Sequence, residues 1–440
     1  MSEANPASSG KSKLPWIITA VAAVVYLVSL NHWMTLASLP VVGKVGGWYW
    51  WTPDLGQPLN FLITLPFKAL SPAARPLALN ILSAIFAALT LGQLARSVSL
   101  LPHDRTREQR QREMHPQGLL SLKGHWIPPL LAVGLCGLQL SFWEHATVYT
   151  GETLNLLLFA FVIRCLLEHR LASHPRWLRA ALVVYGLGIA NNWGMIGFLP
   201  LFVIAVVWIE GGSLFKRKRF WKALGLGSIG LLLYLLLPAI KLINDTAEIG
   251  FWEMVRHQLL MQKNSLLSIP KYIVVILSLS SLFPLLSMSI KWPSNAGDTN
   301  PLAQGMANFT FHLIHAMFLG LCAWVFFDPF ISPRAVGKGL PLLSIYYLSA
   351  LCAGYYAGYF LIVCAKVTDK KWQKPSPITK ALRSLALLTV WAGALAAPAS
   401  LAWLNTSKIT AGNSDEFANF AEHLAASLPK ESSAVLSMQP

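Results

Sequence analysis

Long apolar stretches separated by polar loops repeat along most of the chain. About eleven of these stretches are roughly 17–25 residues long, which is the length that an α-helix needs to cross a membrane. They lie near residues 15–31, 77–100, 127–143, 153–168, 178–192, 195–210, 223–243, 271–290, 309–327, 341–365 and 381–403. The pattern predicts an all-α, polytopic transmembrane protein in which residues 1–14 precede a membrane domain of residues 15–403 and residues 404–440 form a short polar tail.

Composition supports a membrane protein and narrows the expected partners. The chain has 440 residues, of which 55% are hydrophobic and 12% are charged, whereas about a quarter of the residues of a soluble protein are charged. Its 35 basic and 19 acidic residues give a net charge of +16, but the basic residues cluster in short loops without a nucleic-acid-binding motif. Membrane lipids are therefore the expected surroundings, and no nucleic-acid partner is predicted.

The basic clusters predict the orientation of the chain. One cluster precedes the first apolar stretch, and others follow the second, fourth, sixth and tenth, so all fall on one side if every stretch spans the membrane. Cytoplasmic loops carry an excess of lysine and arginine, which predicts a cytoplasmic N-terminus and an extracytoplasmic tail. The clusters lie within residues 11–13, 105–123, 170–179, 216–222 and 366–374.

This orientation places most of the candidate polar side chains on the outer face. In the turn SFWEHATVYTGETLNLLLFAF, Glu144, His145 and Glu152 stand between two apolar stretches. Charged groups are costly in lipid, so we expect these three to face an extracytoplasmic cavity. The other candidates on this face are Asp54, Trp51, Asn191, Asn192, Trp193, Arg256, His257 and Arg334.

Each candidate has a structural interpretation beside the functional one. Glu144 and His145 could be a hydrogen-bonded pair that caps two helices, and Glu152 could interact favourably with the N-terminal end of a helix dipole. Residues 191–193 could form a turn that ends a helix. The aromatic run beside Trp51 could be an interfacial belt, or a surface on which a sugar ring or a lipid headgroup stacks.

Three further segments have a predicted local structure. Residues 59–70 are apolar but too short to span, which predicts a re-entrant or interfacial helix. In loop 244–270 the spacing of Ile249, Trp252, Val255 and Leu259 predicts an amphipathic helix on the outer surface, either a simple anchor or a lid with cations for a phosphate. In the tail, a helix at 417–427 and a strand-like run at 434–436 suggest the start of a truncated α/β domain.

No metal or disulfide site is predicted. The chain has five cysteines, an odd number, and none of them forms a CxxC motif. All five lie in apolar segments or at their ends. His312 and His315 share a helix face, but no third ligand accompanies them, so contacts between helices explain them better than a metal.

Several runs resemble a known family. SFWEHATVYTGETLNLLLFA, followed by GLGIANNWGMIGFLP, is similar to paired patterns of a widespread bacterial multi-spanning family of unknown function. GQPLNFLITLPF and LALNILSAIFAALT look like two further segments of that family. Its animal relatives are membrane protein O-mannosyltransferases of the GT-C class. The resemblance covers residues 20–210, and its matching positions include Phe142, Trp143, Asn155, Gly186, Asn191 and Pro200.

The chain departs from the family at its acidic positions. The usual DsGE motif falls on residues 38–41, where no acid stands. The HPPG motif falls on residues 53–56, so Asp54 replaces a proline. The histidine of the family's gnH motif corresponds to Asn192, and Glu152 is offset from the usual acidic position.

The resemblance implies a GT-C-like architecture and a membrane glycosyltransferase of a bacterial inner membrane. Such an enzyme moves a sugar from a polyprenyl-phosphate donor to a protein or envelope glycan on the extracytoplasmic face. The acceptor hydroxyl needs a general base, which here would be Asp54, Glu144 or Glu152, with His145 as a proton shuttle. The leaving phosphate needs cations, here Arg256, Lys263, Arg334 or Lys338, or a divalent metal.

Other classes stay open at this point. A non-catalytic relative would bind lipid or glycan, or would act as a scaffold for a partner protein. A secondary transporter would show charges in the middle of its spans and paired broken helices, and neither is clear in this sequence.

Overall fold

The computed structural model describes residues 13–46, 57–103, 118–121, 124–212, 217–243, 249–289, 301–337, 339–364 and 377–428. Every regular element within these ranges is helical, which confirms the predicted all-α class. The first half contains α1 (Leu14–Val28), α2 (Leu39–Gly46), α3 (Pro58–Thr64), α4 (Ala74–Leu100), α5 (Ile127–Gly137), α6 (Leu140–Thr147), α7 (Glu152–Ala172), α8 (Pro175–Asn191) and α9 (Leu199–Glu210).

The second half continues the helical pattern. It contains α10 (Arg217–Leu231), α11 (Leu236–Ile243), α12 (Phe251–Leu267), α13 (Lys271–Ser289), α14 (Pro301–Trp324), α15 (Pro333–Gly337), α16 (Leu343–Cys364), α17 (Pro377–Gly412) and α18 (Glu416–Ser427). Short 3₁₀ turns connect some of them, at Leu65–Ala69, Gly118–Ser121, Trp193–Phe198, Leu232–Leu235 and Val325–Phe327.

The predicted number of spans has to be revised. An apolar helix lies at each of the predicted stretches, but within the described ranges only six helices have the length and composition of a span. The bent pair α5 and α6 would make seven if it counts as one span. Among the others, α1 has 15 residues, fewer than the roughly 20 that a bilayer requires, and α7 carries Arg164 and Glu168 in its interior. The six are Ala74–Leu100, Trp193–Glu210, Phe220–Ile243, Phe309–Phe327, Leu343–Ile362 and Leu387–Ser427.

The core forms around two central helices, α4 and α16. Small residues on α4 allow α1, α5 and α7 to approach closely, and the tyrosines of α16 fill the space beyond. Backbones touch where α8 crosses α10, because a Cβ on Gly230 would lie 2.3 Å from the nitrogen of Leu187. A stripe of small residues at a helix crossing is typical of membrane proteins, where close backbone contact drives association.

Hydrogen bonds between distant segments gather the polar loops at one end of the bundle, which we call the site end. Asn31 donates its backbone N–H to the carbonyl of Thr147 at 3.3 Å. Asn405 on α17 donates to the carbonyl of Leu138 at 2.8 Å. Asn413, one residue beyond α17, donates to the carbonyl of Ser29 at 2.7 Å. The ends of α1, α6 and α17 therefore meet beside the N-terminal end of α7.

Several local predictions can be compared with the structure. The segment 59–70 forms α3 and the following 3₁₀ turn, both too short to span, and the tail helix forms as α18. The last predicted span, 381–403, was too short, because α17 extends to Gly412. The predicted strand at 434–436 lies outside the described residues.

Candidate functional site

The turn between α6 and α7 brings the acidic candidates to the site end. Gly151 has a φ of 83°, a left-handed conformation that glycine adopts without strain, and it lets α7 begin directly at Glu152. Ser83 on α4 holds both sides of this turn, because its hydroxyl donates to the carbonyl of His145 at 2.7 Å and lies 2.8 Å from the hydroxyl of Thr153. The turn is therefore anchored to the core helix α4.

Glu152 and His145 interact electrostatically at this turn. His145 Nδ1 lies 2.8 Å from the carbonyl oxygen of Ser141, and since a carbonyl accepts, Nδ1 carries the proton. Burial raises the pKa of the Glu152 carboxyl, while the charge of His145 and the amide of Asn155 lower it and only partly offset burial. Glu152 is thus a half-buried carboxyl with an elevated pKa beside a histidine, which is suited to accepting a proton.

A relay of asparagines joins three elements beneath Glu152. The buried Asn191, at the end of α8, accepts from the backbone N–H of Asn60 at 2.9 Å and donates to the side chain of Asn155 at 2.7 Å. Tyr149 donates to the Asn60 side chain, and burial raises the pKa of this hydroxyl, so it stays protonated. Both the N–H and the carbonyl of the Asn191 amide are occupied, and its contacts fix α3 against α7 and α8.

Two buried polar atoms at this turn form no well-aligned hydrogen bond with the described residues. The Thr150 hydroxyl and the Asn155 Nδ2 are buried without a hydrogen bond of good geometry. The Asn155 amide faces the Glu152 carboxylate and favours its charged form. Buried polar groups without partners are rare in native proteins and often mark a place where a substrate or water binds.

Glu144 is held in an ion pair with Arg334. Arg334, on α15, donates from Nη1 to Glu144 Oε2 at 2.6 Å and from Nη2 to Oε1 at 3.0 Å, and Nη1 also donates to the Ser141 hydroxyl at 3.1 Å. The hydrogen bonds to Glu144 raise the pKa of the guanidinium, so it stays charged. This two-point geometry stabilises Glu144 as a carboxylate and makes it less available as a free base.

A second acid anchors the same corner. Asp328 follows α14 in a left-handed conformation with a φ of 50° and accepts from Gln139 Nε2 at 3.1 and 3.2 Å. Tyr346, on α16, donates to Asp328 and accepts from the backbone N–H of Arg334 at 3.1 Å. Gln139 also caps α6 by accepting from Phe142 at 2.8 Å. The break between α5 and α6, which bends the pair by 72°, is thereby tied to α14, α15 and α16.

Residues 192 and 193 take different roles in the structure. Asn192 begins the 3₁₀ turn Trp193–Phe198, and its side chain accepts from the N–H of Gly194 at 2.8 Å. This cap agrees with the structural interpretation of Asn192 as part of a turn. Trp193 donates from its indole to the Tyr234 hydroxyl at 2.7 Å, and Tyr234 donates to Gln262 Oε1 at 2.7 Å.

The predicted amphipathic helix forms as α12, with its faces distributed in an unexpected way. Its predicted apolar stripe faces outward, and Trp252 is 73% exposed. The face that covers the protein carries Met254, Gln258 and Gln262, spaced by four residues, and all three are buried. Arg256 and His257 are exposed. The helix is thus a cover with a polar underside, which the spacing of its apolar residues did not reveal.

The structure brings together some of the predicted site residues and leaves others apart. Glu144, His145 and Glu152 share the turn at the site end, and Arg334 joins them from α15. Asp54 and Trp51 lie outside the described residues. Sequence reasoning missed several residues of this network, which are Asn60, Tyr149, Tyr234, Gln258, Gln262 and Tyr346. A polar side chain inside a mainly apolar helix is the signal that could have identified most of them.

Metal ligands do not cluster in the described part of the chain. No group of three or more histidine, cysteine, aspartate or glutamate side chains there could hold a metal ion. His315 packs against Phe311 and Tyr359, with ring centroids 4.0 and 4.7 Å apart, and its Nδ1 lies 2.8 Å from the carbonyl oxygen of Phe311 on the same helix.

Comparison with known proteins relates one part of the chain to a family. A family model described as the protein O-mannosyl-transferase TMEM260 N-terminal domain matches residues 54–213, rather more than a third of the chain. The matched segment contains Glu144, His145, Glu152 and the asparagine relay. Among curated proteins, none matches the chain at a significant level. Over residues 54–213 the chain is therefore similar to a family of protein O-mannosyltransferases.

Proposed function

We propose that this protein is a membrane glycosyltransferase that moves a sugar from a polyprenyl-phosphate donor to a protein or envelope glycan. The observation that carries the proposal is the position of Glu152, a half-buried carboxyl with a raised pKa beside His145, within the segment that matches the O-mannosyltransferase domain. A carboxyl in that setting suits general base catalysis. The proposal also assigns the site end to the extracytoplasmic face of a bacterial inner membrane, in agreement with the distribution of basic loops.

The chemistry requires one bond to form and one to break. An acceptor hydroxyl oxygen attacks the anomeric carbon, and the bond from that carbon to the phosphate oxygen breaks. The phosphate leaves with the bonding electrons, and the hydroxyl proton passes to a carboxylate. A base and a cation near the departing phosphate both lower the barrier.

Three carboxylates are candidates for the base. Asp54 stands in the loop where enzymes of the resembled class usually carry their catalytic acid, and it lies three residues before Gln57 in the sequence. Gln57 contacts the site end, since its side chain accepts from Asn60 Nδ2 at 3.1 Å. Glu152 is the second candidate, and the ion pair with Arg334 makes Glu144 the third.

Arg334 is the cation best placed for the phosphate. Its guanidinium is 41% exposed in its pair with Glu144, so one or two donors can turn toward an incoming phosphate oxygen. Arg256 and His257 on the exposed side of α12 are a second source of positive charge. No resident cofactor is proposed, and the donor lipid is the substrate.

The proposal is tested with purified protein reconstituted in lipid vesicles. Polyprenyl-phosphate mannose is supplied with an envelope protein fraction, and both the released polyprenyl phosphate and the labelled acceptor are measured. Asp54→Asn is compared with Asp415→Asn, the same change at an exposed residue before α18. We expect Asp54→Asn to reduce transfer by about 10²–10⁴-fold, since that is the usual contribution of a positioned base.

Other outcomes separate the alternatives. Normal transfer by Asp54→Asn moves the base to Glu152. Normal glycosylation when Asp54, Glu152 and Glu144 are all neutralised would favour a non-catalytic protein that binds lipid or glycan. Reporter fusions after residues 115, 218 and 405 test the orientation, and a cytoplasmic signal at 405 would contradict an extracytoplasmic tail.

A further inference from the structure

The underside of α12 contains an amide group whose hydrogen-bonding capacity is unused. Gln258 is fully buried, and neither its Nε2 nor its Oε1 has a hydrogen-bond partner among the residues that the structure describes. One turn further on, Gln262 uses its amide fully, since Oε1 accepts from Tyr234 at 2.7 Å and Nε2 donates to the carbonyl of Ala190 at 3.2 Å. The same helix face therefore carries one glutamine that holds α12 in place and one that does not.

An unpaired buried amide costs stability, and an apolar residue would avoid that cost. Leaving both a donor and an acceptor without partners carries a desolvation penalty, whereas a leucine of similar size would carry none. Apolar residues are abundant elsewhere on α12, including Leu259, Leu260 and Met261 on its exposed side. An amide therefore stands where an apolar residue would be more stable, as in a site that binds a polar ligand.

The surroundings of Gln258 indicate which kind of ligand fits. The underside of α12 packs on the 3₁₀ turns Trp193–Phe198 and Leu232–Leu235, which supply Trp193 and Tyr234. A half-buried indole offers a flat apolar face, and a glutamine amide offers one donor and one acceptor side by side. A sugar ring has a complementary surface, with a hydrophobic face of C–H groups and neighbouring hydroxyls that both donate and accept.

This surface is continuous with the carboxylate turn. Asn191 connects to Asn155 beside Glu152, and Ala190, the preceding residue, accepts from Gln262. The end of α8 thus joins the acid at one side to the underside of α12 at the other.

We propose that Gln258, together with Trp193 of the 3₁₀ turn on which α12 packs, binds the hexose ring of the lipid-linked donor beneath α12. Because Gln258 is completely buried, the ring reaches it when α12 moves outward, and the helix then closes over the bound sugar. This inference rests on the proposed function for the identity of the donor. The exposed apolar stripe with Trp252 would keep α12 at the membrane interface during that movement.

Binding measurements test the inference without requiring turnover. The affinity of the protein in lipid nanodiscs is measured for polyprenyl-phosphate mannose and for polyprenyl phosphate without a sugar. The variant is Gln258→Leu, and the matched control is Met254→Leu, a buried residue one turn earlier on the same face. Thermal unfolding of each variant is recorded in parallel.

The expected result is a sugar-dependent gain in affinity that requires the amide. We expect wild type and Met254→Leu to bind the mannosyl lipid about tenfold more tightly than the sugar-free lipid, and Gln258→Leu to bind both equally. The midpoint of unfolding of Gln258→Leu should be unchanged or higher, because an unpaired amide is removed. Hydrogen exchange in residues 251–267 should slow on adding the mannosyl lipid to wild type.

Each remaining outcome has a definite meaning. A sugar-dependent gain retained by Gln258→Leu overturns the inference and indicates that water alone satisfies the amide. A gain seen with a free glycan but not with the mannosyl lipid overturns it as well. If the sugar-dependent gain in affinity requires Gln258 but the protein has no transfer activity, the inference is supported and the proposed function is wrong. If the protein transfers sugar but the gain in affinity does not require Gln258, the proposed function is supported and the inference is wrong.

Discussion

The two ends of α7 carry acids in opposite settings. Near its C-terminal end, Glu168 accepts from Arg96 at 2.7 and 3.2 Å and lies 3.8 Å from Arg164. At its N-terminal end, no lysine or arginine of the described chain forms an ion pair with Glu152, which interacts with His145 and Asn155. The charge of Glu168 is compensated by arginines, whereas the pKa of Glu152 is raised. A half-buried carboxyl with a raised pKa is a candidate for a functional site.

Other titratable groups at the end of the bundle opposite the site end are also paired. His169 lies 2.6 Å from Glu210 through Nε2, and its Nδ1 lies 3.0 Å from the carbonyl of His174. His103 bridges the carbonyls of Leu101 and Tyr355 at 3.2 and 2.9 Å. These contacts join separate segments of the chain and indicate a structural role for His169 and His103. The turn at Glu152 differs in this respect.

The largest expected effect is on activity at the site end. Glu152→Gln keeps the shape of the side chain but removes its ability to accept a proton. If Glu152 is the base, transfer should fall by about 10²–10⁴-fold while folding is retained. The rate of lipid-phosphate release measures this effect, and a variant with normal transfer would leave Asp54 as the sole base candidate of the pair.

The matched change at the other end should act on stability instead. Glu168→Gln leaves Arg96 buried without its counter-charge, and breaking a buried ion pair typically costs 3–5 kcal/mol. Unfolding in detergent measures the loss. Replacing Arg96 and Glu168 together with methionine should recover most of it, because the uncompensated charge is gone. A Glu168→Gln variant as stable as wild type would remove the contrast between the two ends.

The pH dependence of transfer sharpens the comparison. The pKa of Glu152 is raised, so the carboxylate form needed for a base appears only above the usual range of glutamate. The rate should therefore rise with pH through that raised pKa. His145→Gln removes a positive charge that lowers the pKa of Glu152, so the acidic limb of the profile should move to higher pH. If the acidic limb of the profile does not move in His145→Gln, a group other than Glu152 controls it.

The same raised pKa affects stability with a definite sign. Folding disfavours the charged form of Glu152. The contribution of Glu152 to the free energy of unfolding is therefore present at low pH and is lost as pH rises through the folded-state pKa. Glu152→Gln should abolish that loss and stabilise the protein at higher pH.

Sequence periodicity predicted the helices well because it depends on local apolar spacing. Each of the long apolar stretches is helical, and α12 and α18 form where amphipathic spacing predicted them. The span count was less accurate, since apolar stretches such as α1 fall short of the thickness of a bilayer.

The site could be predicted only in part, because its contacts join residues far apart in the chain. Glu144, His145 and Glu152 are close in sequence and were identified together. The partner of Glu144 is Arg334, separated from it by 190 positions, and no local pattern encodes that pairing. The underside of α12 was hidden for a different reason, since a glutamine inside an amphipathic helix is read as an exposed residue.

Backbone geometry offers a smaller effect at both ends of α7. Gly151, before Glu152, has a φ of 83°, and Ser173, after the last turn, has a φ of 52°. Gly151→Ala places a side chain in the left-handed region and should cost about 1–2 kcal/mol. Ser173→Gly removes that strain and should stabilise the protein by up to about 1 kcal/mol. If both substitutions changed the free energy of unfolding equally and in the same direction, these assignments would be wrong.

The smallest expected effect concerns the ion pair of Glu144 and Arg334. Each side chain is 41% exposed, so solvent screens the pair, and removing it with Glu144→Gln should cost about 0.2–1 kcal/mol of folding stability. That is well below the effect expected for Glu168, although both acids meet an arginine at less than 3 Å. Unfolding of Glu144→Gln in low and high salt measures the difference, since an exposed pair weakens with salt. A loss as large as that of Glu168→Gln, or one insensitive to salt, would place Glu144 among the structural acids and leave Arg334 without a role in binding phosphate.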